Sequence, residues 1–249
     1  MEPVTVSVIV FIFVFGGAVL GMFLRTRLPE HHLSAESKNV VTAGIGLVGT
    51  MAAMVLGLLI SSAKGHYDMM NSELTQMSAT VVLLDRVFAH YGPEATDART
   101  SLRESVNQIL NRTWPNSELQ TSQSNLSTAE ILYDKIQGLV PKDDAQRASK
   151  AQALSIVIGL ANARWLMFEQ RVNSISAPML VILIFWLTII FISFGLFAPA
   201  NALTVTSLCV SALSVSSAIL LMLELYSPYR GLIQVPSASL RAAFERLGQ

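Results

Sequence analysis

The stretch VVTAGIGLVGTMAAMVLGLLISSAKGHYDMMNSELTQMSATVVLLDRVFAHYGP, Val40–Pro93, decides the fold. It opens as an apolar run long enough to cross a membrane and ends as a charged helix. Nothing inside it stops a helix firmly. Gly65 is the weak point, costing about 1 kcal/mol against Ala in a helix interior. Beyond the apolar run, Tyr67, Met70, Leu74, Met77, Val81, Leu84, Phe88 and Tyr91 alternate spacings of three and four, which predicts one buried seam along a helix. Tyr91-Gly92-Pro93 supplies the stop, because Gly favours the C-cap and Pro cannot continue the helix.

The rest of the chain repeats the theme. Of 249 residues, 52% are hydrophobic and only 14% charged. A soluble domain carries about 25% charged residues. The apolar excess is concentrated in four runs, Val4–Leu24, Val40–Ser62, Met179–Phe197 and Ala202–Tyr226. Each is close to the ~20 residues that span a ~30 Å hydrocarbon core. The first has Met1-Glu2-Pro3 before it and no basic residue, so it reads as a retained span rather than a signal peptide. The expected fold is all-α: a polytopic membrane protein with four transmembrane helices and a helical antiparallel stalk between the second and third. Its expected divisions are 1–62 (two spans), 63–177 (the soluble stalk), 178–226 (two spans) and 227–249 (a C-terminal tail).

Two seams suggest the stalk. The first leaves span two. The second, Ala151, Leu154, Ile158, Ala161, Trp165, Phe168, Val172 and Ile175, returns to span three, where Pro178 marks the membrane entry. Two shorter helices are expected at the far end. Ala98, Leu102, Val106 and Ile109 line one, and Ser127-Thr128-Ala129-Glu130 is a capping box opening the other. Four spans place both termini and the large block on one side. Lys64, Arg164, Arg171, Arg230 and Arg241 lie near span ends there, against Arg25, Arg27 and Lys38 opposite. The positive-inside rule therefore points to a multi-pass inner-membrane protein with a cytoplasmic block and cytoplasmic termini.

Candidate functional residues lie in the spans. Thr42, Gly46, Thr50, Ala53, Gly57 and Ser61 form one small-residue face of span two, and Lys64 and Asp68 continue it. Such a face permits close helix packing in lipid. It could equally wall a pore, with Lys64 and Asp68 as charged rings in an oligomer. Span four carries Thr204, Ser207, Ser211 and Ser214 at helical spacing. Their hydroxyls are expected to bond to carbonyls of the preceding turn or across a helix interface, with a hydroxyl-lined conduit as the alternative. Glu224 is the one ionisable residue well inside an apolar run, a position that is costly and often functional. It could also reach the headgroups or pair with Arg230. Gly17 and Gly21 have GxxxG spacing. His66 and His90 read as exposed helix positions.

Other chemistry finds little support. Glu30, His31, His32 and Glu36 lack the convergence that a metal site needs. Asn111-Arg112-Thr113 and Asn125-Leu126-Ser127 match the glycosylation pattern, which a cytoplasmic block would not use. The single Cys209 allows no disulfide framework. No phosphate loop, dinucleotide motif or nucleophile elbow occurs, so neither an enzyme nor a cofactor is expected. Zero net charge offers no argument for nucleic acid.

Three stretches carry a resemblance: RLPEHHLSAESKNVVTAGIGLVGTMAAMVLGLLISSAKGHYD, LLDRVFAHYGPEATDARTSLR and SPYRGLIQVPSASLR. They resemble a widespread bacterial family of unknown function, often labelled bestrophin-like. Tyr229 stands where that family's C-terminal motif would have Phe. The resemblance implies an oligomer, because bestrophins proper are oligomeric anion channels with four spans per subunit and a helical cytoplasmic part. No bestrophin neck or calcium site aligns here residue by residue. The expected function is therefore an oligomeric ion channel conducting chloride-like anions, its pore lined by span two and surrounded by membrane lipid. The competing expectation is a non-conducting membrane scaffold or sensor that acts through its helical block.

Overall fold

The computed structural model describes residues 2–28, 35–114, 127–172, 177–199, 201–229 and 231–248. They form eight α-helices and, among the described residues, no strand. In chain order these are α1 (Pro3–Arg27), α2 (Ala35–Tyr91), α3 (Thr96–Thr113), α4 (Ser127–Gln137), α5 (Asp144–Val172), α6 (Ala177–Phe197), α7 (Ala202–Leu225) and α8 (Ala238–Arg246). Four helices, α1, α2, α6 and α7, are long and apolar enough to cross a membrane. The four-span, all-helical expectation holds. The described residues divide into two compact units, 1–67 with 175–233 and 68–174 with 234–249. Helix α2 runs through the boundary between them, unbroken at Gly65.

The first unit is built on close contact of α1 with α6 and α7. Val10, Val14, Ala18, Leu183, Ala212, Ile219 and Met222 are fully buried in its core. The GxxxG spacing on α1 has a partner. A Cβ on Gly21 would lie 2.9 Å from Ile192 C and Leu196 N, and one on Gly195 2.9 Å from Ala18 C. The two helices thus cross with backbone nearly touching backbone at glycine. In lipid, where apolar burial gives no drive, such packing is what holds helices together. Ser7 Oγ donates to Ser216 O at 2.9 Å in the same core, tying α1 to α7. Asn201 caps α7, its side-chain oxygen accepting from Thr204 N at 2.8 Å.

In the second unit the first seam is buried as expected. Met70, Leu74, Val81, Leu84, Phe88 and Tyr91 are all buried and Met77 half-buried, while Tyr67, the first member of the seam, is half-buried against the core of the first unit. Helix α2 ends at Tyr91, where Gly92 takes φ 115° ahead of a single 3-10 turn, Pro93–Ala95. Gln146 Nε2 on α5 donates to Tyr91 O at 2.9 Å.

The second seam is corrected. Of its described members, Ile158 is 49% and Trp165 61% exposed, and Ala151 and Ala161 are also exposed. Helix α5 instead buries Ala153 and Val157. Apolar residues occur on every side of this segment, as in Ala153-Leu154-Ser155-Ile156-Val157-Ile158. Three-four spacing alone could not choose between two neighbouring faces, and small Ala153 lets the other one approach closely. Phe168, Val172 and Ile175 lie where side chains are outside the described residues, as does the loop containing His31 and His32.

Two polar groups that the sequence left unassigned organise this unit. Asp85, 1% exposed, accepts a fork of two bonds from Arg99, Nε to Oδ1 at 2.5 Å and Nη2 to Oδ2 at 2.7 Å. The hydrogen bond to Asp85 raises the Arg99 pKa. Gly248 N donates to Asp85 Oδ2 at 3.4 Å, Arg103 Nη1 to Leu247 O at 2.8 Å, and Trp114 Nε1 to Val235 O at 3.0 Å. The C-terminal segment is therefore held along its length by side chains from α2, α3 and the residue after α3.

Candidate pore-lining face

The apolar part of α2 shows three faces. One carries Ala52, Leu59 and Ala63 and is buried in the first unit. A second carries bulky residues in the open: Leu47 at 65% exposure, Met54 at 70% and Leu58 at 62%. The third is the small-residue face expected from sequence. Thr42, Gly46, Thr50, Ala53, Gly57, Ser61, Lys64 and Asp68 are all exposed. A Cβ added at Gly46 or Gly57 would meet nothing within 4 Å. The face is thus not used for packing inside the chain. Whatever covers it, lipid, water or another chain, lies outside this chain.

The polar atoms on this face are arranged locally. Thr50 Oγ1 donates to Leu47 O at 2.8 Å, so the hydroxyl is satisfied on its own helix. Lys64 Nζ sits 5.2 Å from the centroid of the Tyr67 ring, a cation–π geometry. Thr42 and Gly46 differ from the rest. With Lys38 and Gly49 they line a groove of about 500 Å³ against α6 and the start of α7. They belong to that groove as well as to the stripe.

On α7, Ser207, Ser211 and Ser214 are exposed and Thr204 half-buried. Ser214 Oγ donates to Val210 O at 2.9 Å, the satisfaction within the helix that the sequence led us to expect.

Glu224 corrects its sequence reading. It is 2% exposed, turned into the protein rather than out to its surface. Its Oε2 accepts from Leu232 N at 2.6 Å and Ile233 N at 3.3 Å. Gly231, at φ 96°, turns the chain back over the carboxylate, and a Cβ there would lie 2.8 Å from Glu224 Cδ. The carboxylate thus anchors the segment following α7, as backbone amides gathered around an anion do. Arg230 lies outside the described residues. Sequence did carry a signal, since Glu224 is followed by Pro228 and Gly231, a turn able to point amides backwards. Glu224→Gln is expected to cost about 1.5–3 kcal/mol, the value of hydrogen bonds to a charged group. Thermal unfolding in detergent checks this; a melting temperature equal to wild type would remove the anchor role.

His66 is also corrected. It is half-buried and stacks on Tyr226, ring centroids 5.8 Å apart. Tyr226 OH donates to Ser62 Oγ at 3.0 Å. These contacts fix the end of α7 against α2 beside Ser61 and Lys64. His90 is exposed, as expected.

Residues 12–240 match the model of the bestrophin-like domain family. Neither the curated proteins nor the solved structures gave a match. A match over that much of a four-span helical chain settles its kinship: the protein belongs to the bestrophin-like family.

Proposed function

We propose that the chain assembles as a homo-oligomer around an axial path lined by the small-residue face of α2, and that this path conducts ions, with anions preferred. The observation that carries the reading is the exposure of that whole face on the single chain. Small and hydroxyl side chains facing acyl tails gain little, whereas bulky Leu47, Met54 and Leu58 suit lipid or a neighbouring apolar surface. A ring of subunits gives both faces an environment that fits. Thr50, Gly57, Ser61 and Lys64 are the proposed lining, with Lys64 supplying positive charge at the end of the stripe. Membership of the bestrophin-like family supports a channel over an enzyme. The inner membrane, with the helical unit in the cytoplasm, is the proposed location.

One observation favours the scaffold reading. Ile158 and Trp165 leave an apolar stripe exposed on α5, which a neighbouring subunit or another protein could cover. A recording in planar bilayers under a potassium chloride gradient separates the two. The channel reading predicts unitary currents reversing near the chloride potential. It also predicts altered conductance in Gly57→Leu and Ser61→Leu while the oligomer persists. Currents unchanged in both variants would take α2 out of the pore. Silence of a correctly assembled protein across voltage, pH and calcium would favour the scaffold.

A further inference from the structure

The groove at the α2–α6–α7 end of the first unit has an amphipathic build. Its walls are Gly46 and Gly49 on α2, Ile190, Phe194 and Phe197 on α6, and Leu208 on α7. Phe194 is 47% exposed, so part of the apolar wall is open. Little in the groove seeks a protein partner. Ser193 Oγ is already bonded to Ile189 O at 3.0 Å, and the two glycines offer bare backbone.

Cations mark one end. Lys38 lines the groove there and is exposed. Ala198, also lining, accepts a hydrogen bond from Arg25 Nη1. In sequence, the stretch from Arg25 to Lys38 carries Arg25, Arg27 and Lys38 against Glu30 and Glu36. From Lys38 to Gly49 the helix rises roughly 16 Å at 1.5 Å per residue. That is close to half of a ~30 Å hydrocarbon core, the depth of one leaflet.

We propose that the groove is a binding site for an anionic phospholipid. One acyl chain runs along Gly46, Gly49, Phe194 and Leu208, and the phosphate lies against Lys38 and the held Arg25. Charge and length select this occupant over a helix from a second copy. A packed helix would need no cation at the mouth, and it would not stop at one leaflet's depth. An acyl chain gains about 0.8 kcal/mol for each methylene removed from water. Inside a bilayer that gain cancels, so preference for this site must come from shape and the phosphate. Binding here makes Thr42 and Gly46 lipid contacts, so the proposed pore lining begins at Thr50. The proposal requires only that the protein is in a membrane and does not depend on conduction.

Native mass spectrometry of the purified full chain, titrated with phosphatidylglycerol or phosphatidylcholine in detergent, tests it. Wild type is expected to retain phosphatidylglycerol at least about fivefold more readily, the effect of roughly one well-placed cation near anionic lipid. Lys38→Glu is expected to abolish that preference while the fold remains, since Lys38 is exposed. Gly46→Trp, whose new side chain has open space to enter, is expected to remove both lipid adducts, and Gly49→Phe provides the same test independently. Equal retention of the two lipids by wild type would overturn the proposal. So would undiminished adducts in both groove-filling variants. A change of oligomer mass in those variants with adducts intact would mean that the groove receives a second copy, and that too would overturn it.

Discussion

Gly21→Leu and Gly195→Leu are each expected to abolish a monodisperse, folded protein. Both glycines sit where α1 and α6 cross with no room for a side chain: Ile192 C and Leu196 N flank the first, Ala18 C and Met22 N the second, all within 2.9–3.0 Å of an added Cβ. The obstructing atoms are backbone, so no rotamer change relieves the clash. The helices must separate, and the contacts of Val14, Ala18 and Leu187 go with them. Overpacking usually costs about 1–3 kcal/mol, and here the upper end or beyond is expected. Gly16→Leu is the control, because a Cβ there meets nothing within 4 Å. Size-exclusion profiles and melting temperatures of the three variants decide it. If all three resemble wild type, the helices do not cross this closely.

Arg99→Met is expected to destabilise the helical unit by about 3–5 kcal/mol, because it leaves a buried carboxylate without its partner. Asp85 is 1% exposed, and the Gly248 N–H, 3.4 Å from Oδ2, is a weak substitute. The C-terminal segment shares this anchor, so faster hydrogen exchange is expected across residues 238–248. The double variant Asp85→Leu with Arg99→Met should recover much of the loss, since an apolar pair leaves no orphaned charge. Exchange and chemical denaturation unchanged in Arg99→Met would show the pair to be incidental.

Much of this architecture is legible from local pattern. Apolar run length gives the spans, three-four spacing gives the buried side of α2 from Met70 to Tyr91, and Gly92-Pro93 gives its end. What escaped depends on groups brought together over long separations. Asp85 lies beside Leu84 on the buried seam, so its need for a cation could have been inferred, but nothing local pointed to Arg99 or to Gly248. Glu224 shows its meaning only when the chain folds back at Gly231. Helix α5 misled because apolar residues surround it, so its buried side was set by neighbours rather than by its own period. The small face of α2 can be read from residue type and helical spacing. Its exposure is what a sequence cannot supply, since the same stripe would serve a buried helix contact equally well.

The central claim is that water reaches this face in the assembled protein. With Cys209 replaced by Ala, single cysteines at positions 50, 57 and 61 would be reconstituted in planar bilayers and treated with a membrane-impermeant, charged thiol reagent. The account predicts rapid modification at all three and a stepwise fall in current, with a cysteine at Leu58 on the bulky face unreactive. Reaction at Leu58 and none at Gly57 or Ser61 would place the small face against protein or lipid and contradict it.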